Sequence, residues 1–324
     1  MERWGLGLLS RLLDILALVG RYGTQGFVIS LFAGLALPQL AAAARPYLSV
    51  AIFTFVTMTF MRIETSALRD LAARPFALLL SCACLVLVPL LVVTGVVAVL
   101  GREAMDPGLL LGLAILAAAP PMMSAPAIAM LLRVEPALIL TAVLVLTILS
   151  PVLAPPIVHG IAGAAIPLDP GSLVIRLIWL VGGAILCAAI LRRVLGLDRI
   201  RRRKGSFDGF SVIMYFVFAI AAMDGVLAAM LSEPVKVVRL LAIAVMLSLT
   251  GFVLTWLLLR PVAPAERLVL GYATGQRNMG LLIAALGTGT PDTTFLFFAL
   301  AQFPIYIGPQ IIKPLARRYL ERAP

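Results

Sequence analysis

Apolar stretches about as long as a membrane is thick recur along nearly the whole chain. A hydrocarbon core of about 30 Å is crossed by about 20 residues of helix. The 324-residue sequence is 62% hydrophobic and only 13% charged, which is not the composition of a soluble domain. We therefore predict an all-α polytopic membrane protein. Its ten transmembrane helices are predicted at 25–43, 48–66, 75–100, 108–132, 136–159, 171–192, 208–230, 236–259, 266–288 and 293–315.

The basic residues lie between these apolar segments and are unevenly distributed. With ten helices, both termini lie on one side, and that side holds twenty of the 26 lysines and arginines, against five on the other. The positive-inside rule then predicts a multi-pass protein of the inner (cytoplasmic) membrane with both termini cytoplasmic. The basic run at 199–204 is accordingly a cytoplasmic loop, and we expect no nucleic-acid partner.

The two halves of the chain each contain five predicted helices. An odd number of helices reverses the orientation of the second half, so a structural repeat must be inverted. We divide the chain into an amphipathic N-terminal segment at 1–22, a first five-helix repeat at 23–160, a sixth helix with a basic cytoplasmic linker at 161–204, and the rest of the second repeat at 205–324.

The fourth helix of each half is predicted to be broken. In the first half, Pro120, Pro121 and Pro126 fall within one apolar segment, and each removes an amide donor. In the second half, Gly275 and Gly280 flank Arg277. Paired interruptions in corresponding helices indicate a transporter binding site, because the freed backbone groups cannot face lipid.

Arg277 is the one basic residue that belongs to neither side in this count, because it falls near the middle of a predicted membrane segment. A charge at the bilayer centre costs at least about 2.5–3.5 kcal/mol, so such residues usually have a function. Arginine stays protonated and can pair bidentately with a carboxylate, so a negatively charged solute is the ligand that this residue favours. The alternative is a structural role, in which Arg277 bonds backbone carbonyls that the break leaves free. The candidate substrate-binding residues lie at the two breaks or on the last helix: Arg277, Asn278, Gln276, Thr274, Ser124, Ala125, Pro126 and Gln302.

Other classes of function have less support in the sequence. There is one histidine, and there is no aspartate dyad and no Gly-x-Ser-x-Gly elbow, so we expect no enzymatic activity. The three cysteines fall in apolar runs and predict neither a disulfide framework nor a metal site, and we expect no cofactor. A membrane receptor or scaffold without transport stays open as an alternative. We expect an organic anion and membrane lipid as partners, and a monomer or weak homodimer.

Several motifs resemble the bile acid:sodium symporter superfamily, and the resemblance covers nearly the whole chain. Arg74-Pro75 resembles the family's junction between its second and third helices. Residues 119–138 resemble its first break and the helix that follows. Residues 266–281 resemble its Glu-x-Gly-x-Gln-Asn-x-Gly-Leu break. The resemblance implies a core domain in which the fourth and ninth helices cross, a four-helix panel domain beside it, and transport of organic anions with sodium by alternating access.

The chain departs from this family at the positions of the sodium ligands. Ala125 and Pro126 align with Ser-Asn of the first motif, and Ala273 aligns with the glutamate of the second. Further positions with side-chain oxygens in the family are Cys84, Ile139 and Val143 here, and the glutamine of the second motif is Arg277. We therefore expect altered or absent sodium coupling, with Arg277 in place of the cation. A conventional sodium-coupled symporter is the alternative.

Overall fold

The computed structural model describes residues 23–62, 74–132, 134–163, 166 and 169–322. Within these ranges nearly every residue is helical, and the β-type pairing is a single isolated bridge. The all-α prediction is confirmed. The amphipathic segment predicted at 1–22 lies outside the described residues.

The described chain forms sixteen α-helices, several of which continue one another with short interruptions. They are α1 Gly23–Ala36, α2 Pro38–Ala44, α3 Leu48–Met61, α4 Pro75–Leu100, α5 Pro107–Ala118, α6 Ala125–Leu131, α7 Ala137–Ala162, α8 Pro170–Leu177, α9 Gly183–Leu195, α10 Leu197–Arg202, α11 Lys204–Ala222, α12 Val226–Ser232, α13 Pro234–Leu258, α14 Pro264–Gly275, α15 Met279–Leu286 and α16 Asp292–Arg322. A π-helical segment, Ile178–Gly182, joins α8 to α9.

Proline in the first turn marks where many of these helices begin. Proline has no N–H, and the first turn of a helix needs none, so the residue is well tolerated there. The helices that share this feature are α2, α4, α5, α6, α8, α13 and α14. Asp106 and Asp169 add side-chain caps at the starts of α5 and α8.

Six helical stretches of the described residues are long and apolar enough to cross a membrane. They are Pro38–Met61, Pro75–Leu100, Ala137–Ala162, Pro170–Leu195, Lys204–Ser232 and Pro234–Leu258. Their surfaces carry large apolar side chains in the open, such as Val99 at 84% exposure and Trp179 at 74%. Apolar surfaces of this extent are typical of helices that face lipid.

The first predicted span is not a single helix. The predicted 25–43 segment is interrupted at Leu37, whose backbone (φ −121°, ψ 74°) lies outside the helical region. The cause is Pro38, because a proline ring disfavours helical geometry at the residue before it. The ten-helix count and the inverted repeat stay predictions.

Chain contacts divide the protein into two compact units. Unit 1 comprises Met1–Ile63 and Gly182–Ala228, and unit 2 comprises Glu64–Val181 and Ala229–Pro324. Each unit therefore combines segments from both halves of the sequence. The predicted repeat boundaries follow sequence order instead, and they stay a prediction.

Unit 1 is built from helices that approach one another closely. A Cβ placed on Gly34 of α1 would lie 2.8 Å from backbone atoms of Ile220 on α11, so the two helices pack at backbone distance. The rings of Phe55 and Tyr215 stack with centroids 3.9 Å apart. Two ion pairs tie the unit together, from Arg45 to Asp224 at 2.7 Å and from Arg62 to Asp208.

Unit 2 contains both interrupted helices. The predicted 108–132 span is α5 and α6, separated by six residues, and the predicted 266–288 span is α14 and α15, separated by three. Both breaks are therefore confirmed. Helices α4, α7 and α13 pack around them, and Thr294 of α16 bonds the Gly108 carbonyl of α5 at 2.7 Å.

Candidate functional site

The two helix breaks meet and pair with each other. The Met122 N–H donates to the Gln276 carbonyl at 3.1 Å, and the Asn278 N–H donates to the Pro120 carbonyl at 2.8 Å. Together these bonds form the isolated antiparallel bridge. A break in a buried helix leaves amides and carbonyls without intrahelical partners, and here each break satisfies part of the other.

Arg277 lies at this crossing and is almost completely buried. Its residue is 4% exposed, and its Nη1 donates to the Leu85 carbonyl of α4 at 2.6 Å. The Nε atom is buried without a hydrogen-bond partner. Among the described residues, Arg277 makes no ion pair with a carboxylate. Within this part of the chain, the positive charge is therefore held by a neutral acceptor and is not balanced by an acid.

A small cavity adjoins the guanidinium. Its volume is about 10 Å³, which has room for roughly one water molecule. Its wall is mostly apolar and comes from α4, α5, α7 and the crossing: Val86, Ala117, Ala118, Ala119, Pro120, Leu146, Ser150, Leu153, Ile157 and Arg277. In this structure the site is closed around Arg277.

A larger groove between α4 and α7 lies next to the small cavity. Ile157 lines both, and the groove has a volume of about 650 Å³. Its lining is apolar except for a few groups such as Thr94 and Arg102, and Arg102 donates from Nη2 to the Gly160 carbonyl at 2.9 Å. Ile157 is therefore a wall shared by the cavity at Arg277 and a space large enough for an organic molecule.

The side chain of Gln276 is held by α13 and by the Pro304 carbonyl of α16, whereas its backbone carbonyl bonds the opposite break. Its Nε2 donates to the Ser248 hydroxyl at 3.0 Å, and that hydroxyl donates to the Gly275 carbonyl at 2.8 Å. The Gln276 Oε1 is buried without a partner. A Cβ on Gly275 would lie 2.4 Å from the Ser248 carbonyl oxygen, so only glycine lets α13 approach the break this closely.

The side chains of the other candidate residues do not bond one another in this structure. Thr274 and Gln302 are both 2% exposed, and both bond carbonyls of their own helices, at Leu270 and Phe298. Asn278 and Ser124 are half-buried at the starts of α15 and α6, and neither side chain caps its helix. Ala125 and Pro126 are buried in the first turn of α6.

The positions aligned with sodium ligands lie together in one apolar cluster of unit 2. Ala125, Ile139, Val143, Cys84 and Ala273 all belong to it. None of these side chains has an oxygen atom, whereas hard cations are bound through oxygen. Side chains at these positions therefore do not fit a sodium ion.

Two contributors were missed by the sequence reasoning. The first is the Leu85 carbonyl, which is a backbone group and has no side-chain signal of its own. The sequence feature that could have revealed this free carbonyl is Pro89, an internal proline of α4 four residues after Leu85. The second is Ser248, a polar residue near the middle of a mostly apolar span, which could have been selected for the same reason as Gln302.

In comparisons with known proteins, no protein-family model and no curated protein matches the sequence.

Proposed function

We propose that this protein is a secondary membrane transporter that moves an organic anion by alternating access, in the manner of the bile acid:sodium symporters that its motifs resemble. The observation that carries the proposal is the buried guanidinium of Arg277 at the crossing of two broken helices, without a carboxylate partner among the described residues. We propose an inner-membrane location with both termini cytoplasmic, as the distribution of basic residues indicates.

The electrostatics of Arg277 favour an anionic ligand. Burial of a charge is costly unless a partner compensates it, and a single neutral carbonyl compensates it only in part. A carboxylate or sulfonate reaching the guanidinium would form a charge-assisted, bidentate pair, which is stronger than the bond to Leu85. Binding energy at this site therefore comes from neutralising a charge that the fold already holds in place.

Sodium is not needed in this scheme. In sodium-coupled carriers the cation helps to balance the charge of the substrate, and here Arg277 supplies that charge permanently. The apolar cluster at Ala125, Ile139, Val143, Cys84 and Ala273 supports this part of the proposal, because its side chains offer no ligand oxygen. We propose a uniporter or anion exchanger, or coupling to protons elsewhere in the chain.

Access to the site requires movement. The cavity of about 10 Å³ must widen before an organic anion can reach Arg277, so the structure corresponds to a closed state. Both helix breaks belong to unit 2, which supports the idea of a core domain that carries the site and a panel domain that does not. The groove that adjoins the cavity at Ile157 is a candidate route of entry.

Uptake into proteoliposomes tests the proposal. We expect labelled anion to accumulate equally well with a sodium gradient and with a choline gradient of the same size. Clear stimulation by sodium would instead support a conventional symporter. Counterflow, the exchange of labelled for unlabelled substrate, separates carriers from receptors: a receptor or scaffold would bind the anion without any exchange across the membrane.

A further inference from the structure

Internal prolines leave carbonyls of unit 2 without their usual partner. In an α-helix the N–H of residue i bonds the carbonyl of residue i−4, and proline has no N–H to give. Pro89 thus frees the Leu85 carbonyl, Pro151 frees that of Thr147, and Pro309 frees that of Ile305. Each of these three carbonyls accepts a hydrogen bond from a side chain: from Arg277 at 2.6 Å, from Ser150 at 2.7 Å and from Tyr272 at 3.1 Å.

The bond at Leu85 differs from the other two in its donor. Ser150 and Tyr272 donate neutral hydroxyls, and Ser150 belongs to the same helix as its acceptor. Arg277 is charged and reaches α4 from the crossing, 192 residues further along the chain. Leu85 and Pro89 are both buried, so water does not replace the missing amide easily. The acceptor therefore exists because of Pro89, and Arg277 is the group that uses it.

We infer that Pro89 is a positioning residue for Arg277. Because Pro89 has no N–H, the Leu85 carbonyl of α4 is left as an acceptor that holds the guanidinium in the closed state. When an anion arrives, the guanidinium leaves this carbonyl and bonds the anion. The holding function stands on the structure alone, whereas its release to an anion rests on the proposed transport function. A neutral carbonyl suits both tasks. Its hydrogen bond is strong enough to orient the arginine, and it is weaker than the bond that a carboxylate would form.

The inference predicts that the effects of two substitutions depend on each other. Pro89→Ala restores an N–H that bonds the Leu85 carbonyl within α4, so Arg277 loses much of its acceptor. Arg277→Met should then lower the apparent Tm less in the Pro89→Ala background than in the wild type. We expect the two losses to differ by roughly 2 °C or more, as for directly coupled groups in a protein of this size.

Pro155→Ala supplies the matched control. Pro155 is also a buried proline inside a helix of unit 2, but the carbonyl it frees is that of Pro151, which is not the acceptor of Arg277. Combined with Arg277→Met, it should give additive losses. If Arg277→Met does not yield folded protein, Arg277→Gln serves in the same cycle as a polar replacement.

A backbone substitution separates the missing amide from the shape of the proline ring. Lactic acid incorporated at position 89 puts an ester where Pro89→Ala has an amide, so it lacks both the N–H and the ring. If the missing N–H is what matters, this variant couples to Arg277→Met as strongly as the wild type does. Coupling that is lost in the ester variant as well would show that the ring acts through helix shape, and would overturn the inference.

The cycle contains no substrate, so its outcome is independent of transport. Additive losses for Pro89→Ala and Arg277→Met would overturn the role of Pro89 and leave the proposed transport function standing. Non-additive losses in a protein that shows no counterflow would support the holding function and remove the transport function.

Discussion

Two arginines, one in each unit, show how differently the same side chain is used. Arg62 in unit 1 bonds the carboxylate of Asp208, the hydroxyl of Ser211 and the carbonyl of Phe207, and its side chain is 28% exposed. Arg277 in unit 2 is 4% exposed and bonds one carbonyl. Both side chains have a buried Nε without a partner. What distinguishes the two charges is the Asp208 carboxylate, which pairs with Arg62.

This comparison separates a charge that is paired with an acid in the described residues from one that is not. The charge of Arg62 is already neutralised by an acid of its own unit, so an incoming anion would have to displace Asp208. The charge of Arg277 is not neutralised within the described residues, so an incoming anion would displace only a neutral carbonyl. The two sites therefore predict different responses to substitution: transport should depend on Arg277 and not on Arg62.

The largest expected effect is on transport. Arg277→Ala should lower counterflow by roughly 30-fold to 4,000-fold, because removing one partner of a buried charge pair costs about 2–5 kcal/mol. Arg62→Ala should lower stability and leave counterflow per folded molecule nearly unchanged. Equal losses of counterflow for the two variants would remove the distinction between them.

A smaller effect is expected from adding a methyl group at glycines where two helices approach closely, one in each unit. Gly275→Ala and Gly34→Ala both place a Cβ within 2.8 Å of backbone atoms, so each should cost about 1–3 kcal/mol of stability. Only Gly275→Ala should also reduce counterflow by the folded protein, since it displaces the break beside Arg277. Thermal unfolding and counterflow measured on the same samples separate the two effects.

Gly95→Ala is the control for this pair. Gly95 lies inside α4 and a Cβ there would meet nothing within 4 Å, so alanine should be neutral or stabilising by up to about 1 kcal/mol. A destabilisation of Gly95→Ala as large as that of Gly275→Ala would mean that contact at the break is not the cause.

Ser248→Ala should produce a loss of about 1 kcal/mol, as is usual for a hydrogen bond. It removes the donor to the Gly275 carbonyl and the acceptor of the Gln276 amide. Ser211→Ala in unit 1 removes one of several bonds to Arg62 and should change stability alone. If both serine variants changed the half-saturating substrate concentration, the effect could not be assigned to the crossing.

The smallest effect is expected at the ion pair between Arg74 and Glu266. The hydrogen bond from Arg74 to Glu266, and the negative charge of that carboxylate, raise the pKa of Arg74 above its ordinary value. A raised arginine pKa contributes stability that is lost only when the pH rises through that value. The contribution of this pair to stability should therefore not change with pH between about pH 6 and pH 9. Glu266→Gln should cost no more than about 1 kcal/mol, because the Arg74 side chain is half exposed.

The sequence was sufficient for the class of the fold and for the positions of both breaks, because proline, glycine and hydropathy act locally. It failed at Leu37, where the proline that follows divides a predicted span. It also failed to distinguish Gln276 and Arg277, which bond across elements, from Thr274 and Gln302, which bond their own helices. Those partners are brought together by tertiary packing, and residue type alone does not reveal them.

The most direct test of the central claim is equilibrium binding to detergent-purified protein in sodium-free buffer. Acetate, benzoate, methanesulfonate and taurocholate would be titrated against the wild type, Arg277→Ala and Arg62→Ala while the apparent Tm is followed. We expect at least one of these anions to raise the Tm of the wild type and of Arg62→Ala, and to leave that of Arg277→Ala unchanged. Stabilisation that persists in Arg277→Ala, or that occurs only when sodium is added, would contradict the account.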